Sequence, residues 1–227
     1  MSGFQLGGVQ FRQVENERTR VRSAEGEFAL MKSDRVLRFY EALRPHLPKT
    51  IMELGIFEGG SLVYFDKLFK PTRLIGVDRR PCPVPALEAY CNNKPHIATY
   101  YARFQDKLGV LQAARQNFPK GVDLVVDDAS HLYEPTKATF AMLFPLVRTG
   151  GHYVIERWRQ APATHKALDG PPLARFVHEL VALSSLTPVI ESVDVGYDLI
   201  CVRKGSGVYD AQTLDPVAAM RRHGVEA

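Results

Sequence analysis

Two carboxylates and an imidazole stand close together in the run Asp127-Asp128-Ala129-Ser130-His131. The five residues before it, Val122 to Val126, are apolar except for one aspartate, which is typical of a strand buried on both faces. We therefore expect the run to lie at the carboxyl end of a strand, the edge where open α/β sheets bind ligands. There an imidazole can take a proton from a substrate hydroxyl. Two aspartates can also simply begin a turn, and that alternative stays open.

A third carboxylate, Glu156, ends a later apolar run, Tyr153 to Ile155. The carboxyl ends of parallel strands share one edge of a sheet, so Glu156 is expected to converge on the same crevice. Gly150-Gly151 precedes this run and predicts a turn into the strand.

A glycine-rich turn, Gly55 to Gly60, follows the apolar run Thr50 to Leu54. Glycine lets the backbone approach a ligand, and a helix beginning there presents free N–H groups. A dinucleotide-binding turn has a glycine where this sequence has Phe57, so a diphosphate would fit poorly. The acidic residues Glu53 and Glu58 favour instead a ligand with a cationic end.

Asp78 ends the next apolar run, Arg73 to Val77. A carboxylate at the end of a second strand can accept hydrogen bonds from both hydroxyls of a ribose. Asp78 can also be an aspartate that only stabilises a turn, and that alternative stays open. Together with the glycine turn, Asp78 predicts a nucleoside-binding site.

Short β-type runs alternate with helical patterns from about residue 33 to residue 203, which predicts βαβ units wound around a mostly parallel sheet. Only a short linker around Gly196 separates the last two strands, so we expect them to form an antiparallel edge hairpin. The predicted strands are Thr50–Leu54, Arg73–Val77, Ile97–Tyr101, Val122–Val126, Tyr153–Ile155, Pro188–Val193 and Tyr197–Val202, seven in all. The predicted helices begin near Ser33, after Gly60, near Leu108, near Pro135 and at Leu173.

Bulk composition restricts the class of protein. A chain of 227 residues that is 45% hydrophobic and 24% charged is typical of one α/β domain. Basic and acidic residues intermingle despite a net charge of +4, so no nucleic-acid partner is expected. No apolar run is long enough to span a bilayer and the N-terminus has no signal-peptide pattern, so we expect a cytoplasmic location and no membrane partner. Three cysteines without C-x-x-C spacing are expected to be reduced thiols.

The ends of the chain match no motif. We divide the sequence into an N-terminal segment (1–32), a main domain (33–203) and a C-terminal tail (204–227). The N-terminal segment is interpreted as a lid or as a contact between subunits of a homo-oligomer.

The motif Glu53-x-Gly55-x-Phe57-x-Gly59 resembles the first motif of class I methyltransferases that depend on S-adenosylmethionine (SAM), with Phe57 in place of the usual central glycine. Asp78 matches their ribose-binding acid. The resemblance implies a Rossmann-like, doubly wound, mostly parallel seven-stranded sheet with SAM as the cofactor. It places Gln105 and Asp106 beside the adenine. The full set of implied cofactor-binding residues is Glu53, Gly55, Phe57, Glu58, Gly59, Ser61, Asp78, Arg79, Gln105, Asp106 and Asp127.

The stretch from Asp127 to Glu156 is similar to the macrolide-glycoside and cephalosporin-type O-methyltransferases. The resemblance implies methyl transfer to a hydroxyl of a saccharide or glycosylated natural product, a small-molecule acceptor. It implies His131 as general base, with Asp128 as the second catalytic residue. In that family the positions of Asp128, Glu156 and Arg157 hold a magnesium ion.

Arg157 departs from the family's pattern, because a fixed cation cannot act as an oxygen ligand to Mg²⁺. Two interpretations stay open. Either Asp127, Asp128, Glu156 and water hold the ion, or the guanidinium replaces the ion and pairs with a carboxylate.

Two other functions compete with this one. A nicotinamide-dependent oxidoreductase would share the fold, but Phe57 and the lack of a Tyr-x-x-x-Lys pair near the fifth strand count against it. A methyltransferase-like binding protein whose metal site has decayed is the other. Trp158, Arg159 and the Pro-rich loop from Ala161 to Pro172 either line the acceptor pocket or form a surface loop. His152, His165 and His178 lack acidic companions and are interpreted as structural.

Overall fold

The structure, a computed structural model, describes residues 3–15, 21–159 and 171–207. The chain divides into two compact units, residues 1–104 and residues 105–227. Most of the predicted tail, His165 and residues 161–170 of the Pro-rich loop lie outside the described residues. Within the described ranges, no helix combines the length and the apolar character needed to cross a membrane.

The first unit contains the strands that lead to the glycine turn and to Asp78. Strands β4 (Thr50–Leu54), β5 (Arg73–Val77) and β6 (Ile97–Tyr100) are parallel, with Leu54 paired to Val77 and Val77 paired to Tyr100. The Ser33 hydroxyl accepts the Val36 N–H and caps the first helix, as the sequence predicts. The elements of this unit are β1 (Gly3–Leu6), β2 (Val9–Gln13), β3 (Glu27–Leu30), α1 (Asp34–Ala42), a 3₁₀ turn (Arg44–His46), β4 (Thr50–Leu54), α2 (Gly60–Phe69), β5 (Arg73–Val77), α3 (Pro85–Cys91) and β6 (Ile97–Tyr100).

The N-terminal segment forms a small sheet that the sequence analysis does not predict. Strands β1 and β2 make an antiparallel hairpin, and β3 pairs with β2 in parallel. The rings of Phe4 and Phe11 meet the ring of Tyr64 on α2 edge to face. At Gly60 a Cβ atom would lie 2.1 Å from the Ala29 carbonyl oxygen of β3, so only glycine allows this approach. The described part of the segment therefore packs on α2.

The second unit carries the predicted catalytic run. Strand β7 (Val122–Asp127) is parallel to β8 (Val147–Glu156). Strand β10 (Leu199–Lys204) is antiparallel to both β8 and β9 (Ile190–Val195). The predicted edge hairpin is confirmed. Its elements are α4 (Leu108–Asn117), β7 (Val122–Asp127), α5 (Tyr133–Leu143), a 3₁₀ turn (Phe144–Leu146), β8 (Val147–Glu156), α6 (Leu173–Leu186), β9 (Ile190–Val195) and β10 (Leu199–Lys204).

Strand β8 begins earlier than predicted. The Gly150-Gly151 pair was expected to be a turn that precedes the strand, but it lies inside an irregular ladder. Val122 pairs with Val147, whereas Leu124 pairs with His152. Gly150 has a left-handed backbone (φ 78°), and a Cβ atom at Gly151 would lie 2.9 Å from the Asp123 carbonyl oxygen. The glycines thus form a bulge that keeps the strand continuous.

The main sheet has seven strands in the order β6-β5-β4-β7-β8-β10-β9. It is mostly parallel, with the antiparallel hairpin at one edge and helices flanking it, which confirms the predicted Rossmann-like class. The ends of β7 and β8 carry the carboxylates that the sequence analysis singled out, Asp127, Asp128 and Glu156.

The close approach at Gly60 gives a test of the N-terminal sheet. Gly60→Ala should lower the free energy of unfolding by about 1–3 kcal/mol, because the added methyl group meets a backbone oxygen that cannot yield easily. Ser61→Ala, at the next position of the same helix, should change it by less than about 0.5 kcal/mol. Urea denaturation of both variants measures the difference. Equal stability of the two variants would contradict the packing of β3 on α2.

Candidate functional site

The glycine turn and Asp78 come together at adjacent ends of β4 and β5. The Gly55 N–H donates to the Val77 carbonyl (2.8 Å), and the Ile56 N–H donates to Asp78 Oδ2 (2.8 Å). The Arg80 N–H donates to Asp78 Oδ1 (2.8 Å). Arg80 Nε also lies 3.5 Å from Oδ2, as an ion pair. A carboxylate offers about four acceptor positions, so acceptor capacity remains beside these three donors. These contacts fix the carboxylate beside the turn.

Three residues of the turn have left-handed backbone: Gly55 (φ 94°), Phe57 (φ 48°) and Gly59 (φ 81°). For an aromatic residue this conformation is uncommon and marks a constrained turn. A Cβ atom at Gly59 would lie 2.9 Å from the Leu87 Cβ atom, so a side chain would not fit. The turn presents the first N–H groups of α2, where Ser61 lies half-buried. This backbone-lined turn and Asp78 fit a nucleoside with free ribose hydroxyls, while Arg79 is exposed beside them.

Both acids near the turn have cationic partners that the sequence analysis missed. Glu53 is fully buried, with Oε1 3.7 Å from Lys32 Nζ. Glu58 accepts a hydrogen bond from Arg22 Nη1 (2.6 Å) and another from the Ser23 N–H (3.1 Å). Because their charges are already balanced, these acids attract a cationic ligand end less strongly than isolated carboxylates would. Their role toward the cofactor stays a prediction.

In the second unit, the buried carboxylate of Asp127 is the centre of a hydrogen-bond network. Tyr153 Oη donates to Asp127 Oδ2 (3.1 Å), and Gln105 Nε2 lies 3.4 Å from both carboxylate oxygens. Burial raises the pKa of Asp127 to about 7, and the hydrogen bonds from Tyr153 and from the Ala129 N–H act against this rise. Asp127 is thus held by the protein at the end of β7.

The Gln105 side chain is held at both ends by the protein, and its place beside the adenine stays a prediction. Its amide N–H₂ also donates to Thr139 Oγ1 (3.2 Å) on α5, and its Oε1 accepts the Ser130 N–H (2.8 Å). The side chain is 8% exposed. Both ends of the amide are therefore occupied within the second unit, and the residue connects the Asp127–His131 segment to α5. Asp106 instead pairs with Lys107 in the next position (2.9 Å).

Asp128 lies against a guanidinium. Arg157 Nε donates to Asp128 Oδ1 (2.8 Å), and His131 Nε2 lies 4.0 Å from the same oxygen. Both His131 (φ 57°) and Arg157 (φ 52°) have left-handed backbone, which is uncommon outside glycine. The side chains of Asp128, His131 and Arg157 therefore lie together, and the guanidinium pairs with a carboxylate.

The residues present do not fit a magnesium ion. In the parts of the chain that the structure describes, no group of three or more His, Cys, Asp or Glu residues is placed to hold a metal. Mg²⁺ requires near-octahedral oxygen ligands, and Asp128 already has a cationic partner. Glu156 is buried at the end of β8. The predicted ligand set of Asp128 and Glu156 is thus too small as it stands.

Aromatic side chains surround the end of β8. Trp158 Nε1 donates to the Gly196 carbonyl (2.9 Å) in the turn between β9 and β10. The Arg159 guanidinium lies 3.9 Å from the centre of the Tyr197 ring, and Tyr197 is 62% exposed. Arg159, which stacks on one face of this exposed ring, is two residues from Arg157 in the sequence. The stacked pair forms a surface suited to a polar molecule with apolar faces.

Comparison with known proteins finds similarity to methyltransferases. Residues 52–156 match a family model described as a methyltransferase domain, Methyltransf_24. Over 119 residues the chain is 35% identical to the 8-demethyl-8-(2-methoxy-alpha-L-rhamnosyl)-tetracenomycin-C 3'-O-methyltransferase of Streptomyces olivaceus, covering 49% of this chain and 28% of that protein. Over 113 residues it is 30% identical to the mycinamicin VI 2''-O-methyltransferase of Micromonospora griseorubida, covering 47% of this chain and 26% of that protein. The match therefore spans little more than a quarter of these relatives' length.

Solved structures share the fold. The MycE methyltransferase of the mycinamycin biosynthetic pathway, in complex with Mg and SAH, has a TM-score of 0.58 at 24% identity, covering 75% of this chain and 49% of that chain. The O-methyltransferase TomG from Streptomyces achromogenes, in complex with SAM, has a TM-score of 0.57 at 18% identity, covering 78% of this chain and 82% of that chain. The segment that matches the family model, residues 52–156, includes the glycine turn, Asp78 and the run from Asp127 to His131.

The positioning role of Gln105 can be tested directly. Gln105→Leu keeps the side-chain volume but removes both ends of the amide, so the Ser130 N–H loses its acceptor and Asp127 loses a donor. We expect a loss of about 1–3 kcal/mol in the free energy of unfolding, as for other buried hydrogen-bond partners. Hydrogen exchange of the Ser130 amide should accelerate. Asp106→Asn, at the neighbouring surface position, is the matched control and should change neither quantity; equal exchange rates in the two variants would contradict the role.

Proposed function

We propose that this chain, whose residues 52–156 form a methyltransferase domain, transfers a methyl group from SAM to a hydroxyl of a sugar or glycosylated natural product. The observation that carries the proposal is the Asp128–His131 pair at the end of β7, inside the matched segment. The similarity to proteins named as O-methyltransferases of a rhamnosyl tetracenomycin and of mycinamicin VI supports the acceptor class.

The first unit would hold the cofactor. Asp78 would accept the ribose hydroxyls, and the turn at Gly55 and Gly59 would let the nucleoside approach the backbone. Bound SAM supplies a methyl group already activated by a positive sulfur, so the protein need not create a strong electrophile. The two oxygens of Asp78 are fixed by backbone N–H groups, which keeps the carboxylate ready for ligand hydroxyls without reorganisation.

The second unit would remove the proton. An alcohol is a poor nucleophile at neutral pH, and His131 would accept its proton as the oxygen attacks. The left-handed backbone of His131 and the nearby Asp128 restrict where the imidazole lies. The carboxylate would stabilise the imidazolium that forms. The remaining task is alignment of the acceptor oxygen with the methyl group, which the rigid strand ends favour.

The surface formed by Trp158, Arg159 and Tyr197 would contact the acceptor. A sugar ring has apolar faces that pack on aromatic rings and hydroxyls that accept from arginine, and this surface offers both. This assignment extends to Tyr197 the interpretation of Trp158 and Arg159 made from the sequence.

Binding of the cofactor by Asp78 is tested by calorimetry. Asp78→Asn removes the charge of the carboxylate and one acceptor, so the Kd for SAM should rise at least ~10-fold, the loss expected from hydrogen bonds to a charged group. Glu41→Gln, an exposed acid on α1 in the same unit, should leave the Kd within about twofold of the wild-type value. An unchanged Kd in Asp78→Asn would show that Asp78 does not bind the cofactor.

The role of His131 is tested by methyl transfer itself. His131→Ala should lower kcat by ~100-fold or more, the range for loss of a general base, while the Kd for SAM stays the same. Mass spectrometry of glycosylated acceptors measures the added methyl group. His178→Ala, an exposed histidine on α6, is the control with normal turnover. Near-normal turnover of His131→Ala would refute its role as base.

A further inference from the structure

We propose that the Arg157 guanidinium takes the place of a divalent cation beside Asp128, so that the site operates with a built-in cation and binds no magnesium. The inference rests on the proposed methyl transfer for its catalytic meaning, because the guanidinium would then supply the positive charge beside the acceptor oxygen. Its metal-binding part stands on the contacts of Arg157 alone. The MycE structure, whose fold this chain shares, is in complex with Mg and SAH, so the two proteins would differ in this respect.

The guanidinium holds Asp128 at two points. Nε donates to Oδ1 of the carboxylate at 2.8 Å, and Nη2 lies 3.5 Å from the backbone carbonyl of the same residue. The side chains of Arg157 and Asp128 are only 15% and 9% exposed. An ion pair shielded from water to this degree is less screened by salt than a surface pair. A positive charge therefore already stands at this carboxylate.

The backbone of Arg157 is built to aim the side chain at Asp128. Its left-handed conformation (φ 52°) costs about 1 kcal/mol or more for a residue that is not glycine. The Arg157 N–H donates to the Asp198 carbonyl (2.7 Å) in the approach to β10, which holds the conformation. The backbone of Arg157 is thus fixed beside the start of β10, and its guanidinium is held against Asp128 rather than extending into solvent.

A divalent cation would compete with this arrangement on two counts. A guanidinium offers only donors, so it cannot be a metal ligand itself. A metal ion at the Asp128 carboxylate would also lie within a few ångströms of a fixed positive charge, which would repel it. Binding of the ion would require the pair with Asp128 to open.

The same geometry predicts which substitution would create a metal site. Asp127 is the last residue of β7 paired with β8, opposite Ile155. Asp128 and Glu156 follow these two residues, and residue 157 comes next at the same edge. A carboxylate at position 157 would add a third acid at these strand ends and would remove the repelling charge. Oxygen ligands in this number, completed by water, are the set that Mg²⁺ and Mn²⁺ accept.

Mn²⁺, a paramagnetic substitute for Mg²⁺, tests the inference by titration followed with electron paramagnetic resonance. The wild-type protein should bind Mn²⁺ with a Kd of about 1 mM or weaker. Arg157→Asp should bind it at least ~10-fold more tightly, since ligand changes alter metal affinity by this order. Arg159→Asp makes the same charge change two residues away, on a side chain stacked against Tyr197, and should bind Mn²⁺ no more tightly than the wild-type protein.

Two results would overturn the inference. One is micromolar Mn²⁺ binding by the wild-type protein that is lost in Asp128→Asn, which would show that a metal shares the site with Arg157. The other is a folded Arg157→Asp protein, as judged by circular dichroism, that gains no binding over Arg159→Asp. The wild-type titration needs no variant, so it decides the first point even where Arg157→Asp does not fold. Metal binding is measured without methyl transfer, so failure of the proposed function gives a different result: no turnover with any acceptor.

Discussion

The carboxylate of Asp127 lies almost without contact with water at the end of β7, and a buried carboxylate is tolerated only when donors surround it. Tyr153 on the neighbouring strand and Gln105 ahead of α4 provide those donors. In doing so they fix the strand end from which Asp128 and His131 extend. The need to give one buried acid its hydrogen-bond donors therefore determines where the chemically reactive groups are placed. The raised pKa of Asp127 has the same origin, because burial disfavours its charge.

Constrained backbone then directs the side chains. His131 and Arg157 both adopt left-handed conformations that glycine would adopt at less cost, and both place side chains against Asp128. Such conformations persist where surrounding contacts over-determine them, and they concentrate at functional sites. In the first unit the same principle acts through Phe57, in the turn beside Asp78. The proposed cofactor and base sites thus share a construction: a carboxylate fixed at a strand end beside a constrained loop.

The elements with strong local signals could be predicted from the sequence. Strands β4 and β5 have the predicted bounds, because continuous apolar runs between turn residues leave little choice of where each strand begins and ends. The three N-terminal strands were missed because they are only four or five residues long and are stabilised by packing on α2 rather than by their own pattern. The bulge at Gly150 was missed because a glycine pair predicts a turn equally well.

The site could be predicted only in part, because sequence motifs identify groups but not their partners. Asp78, Asp128 and His131 are recognisable from residue type and position at strand ends. Lys32, the partner of Glu53, comes from a segment without any motif, and the hydrogen bonds of Gln105 depend on tertiary contacts with α5. Arg157 was recognised as a departure from the family pattern, but its hydrogen bond to Asp128 is visible only in the structure.

The proposed function depends on binding of the SAM nucleoside, rather than of a dinucleotide, by the glycine turn and Asp78. Calorimetric titration of the unmodified protein with S-adenosylhomocysteine and, separately, with NAD distinguishes the two ligands. We expect saturable binding of S-adenosylhomocysteine at one site per chain and no measurable heat with NAD. Saturable binding of NAD together with no binding of S-adenosylhomocysteine would contradict it.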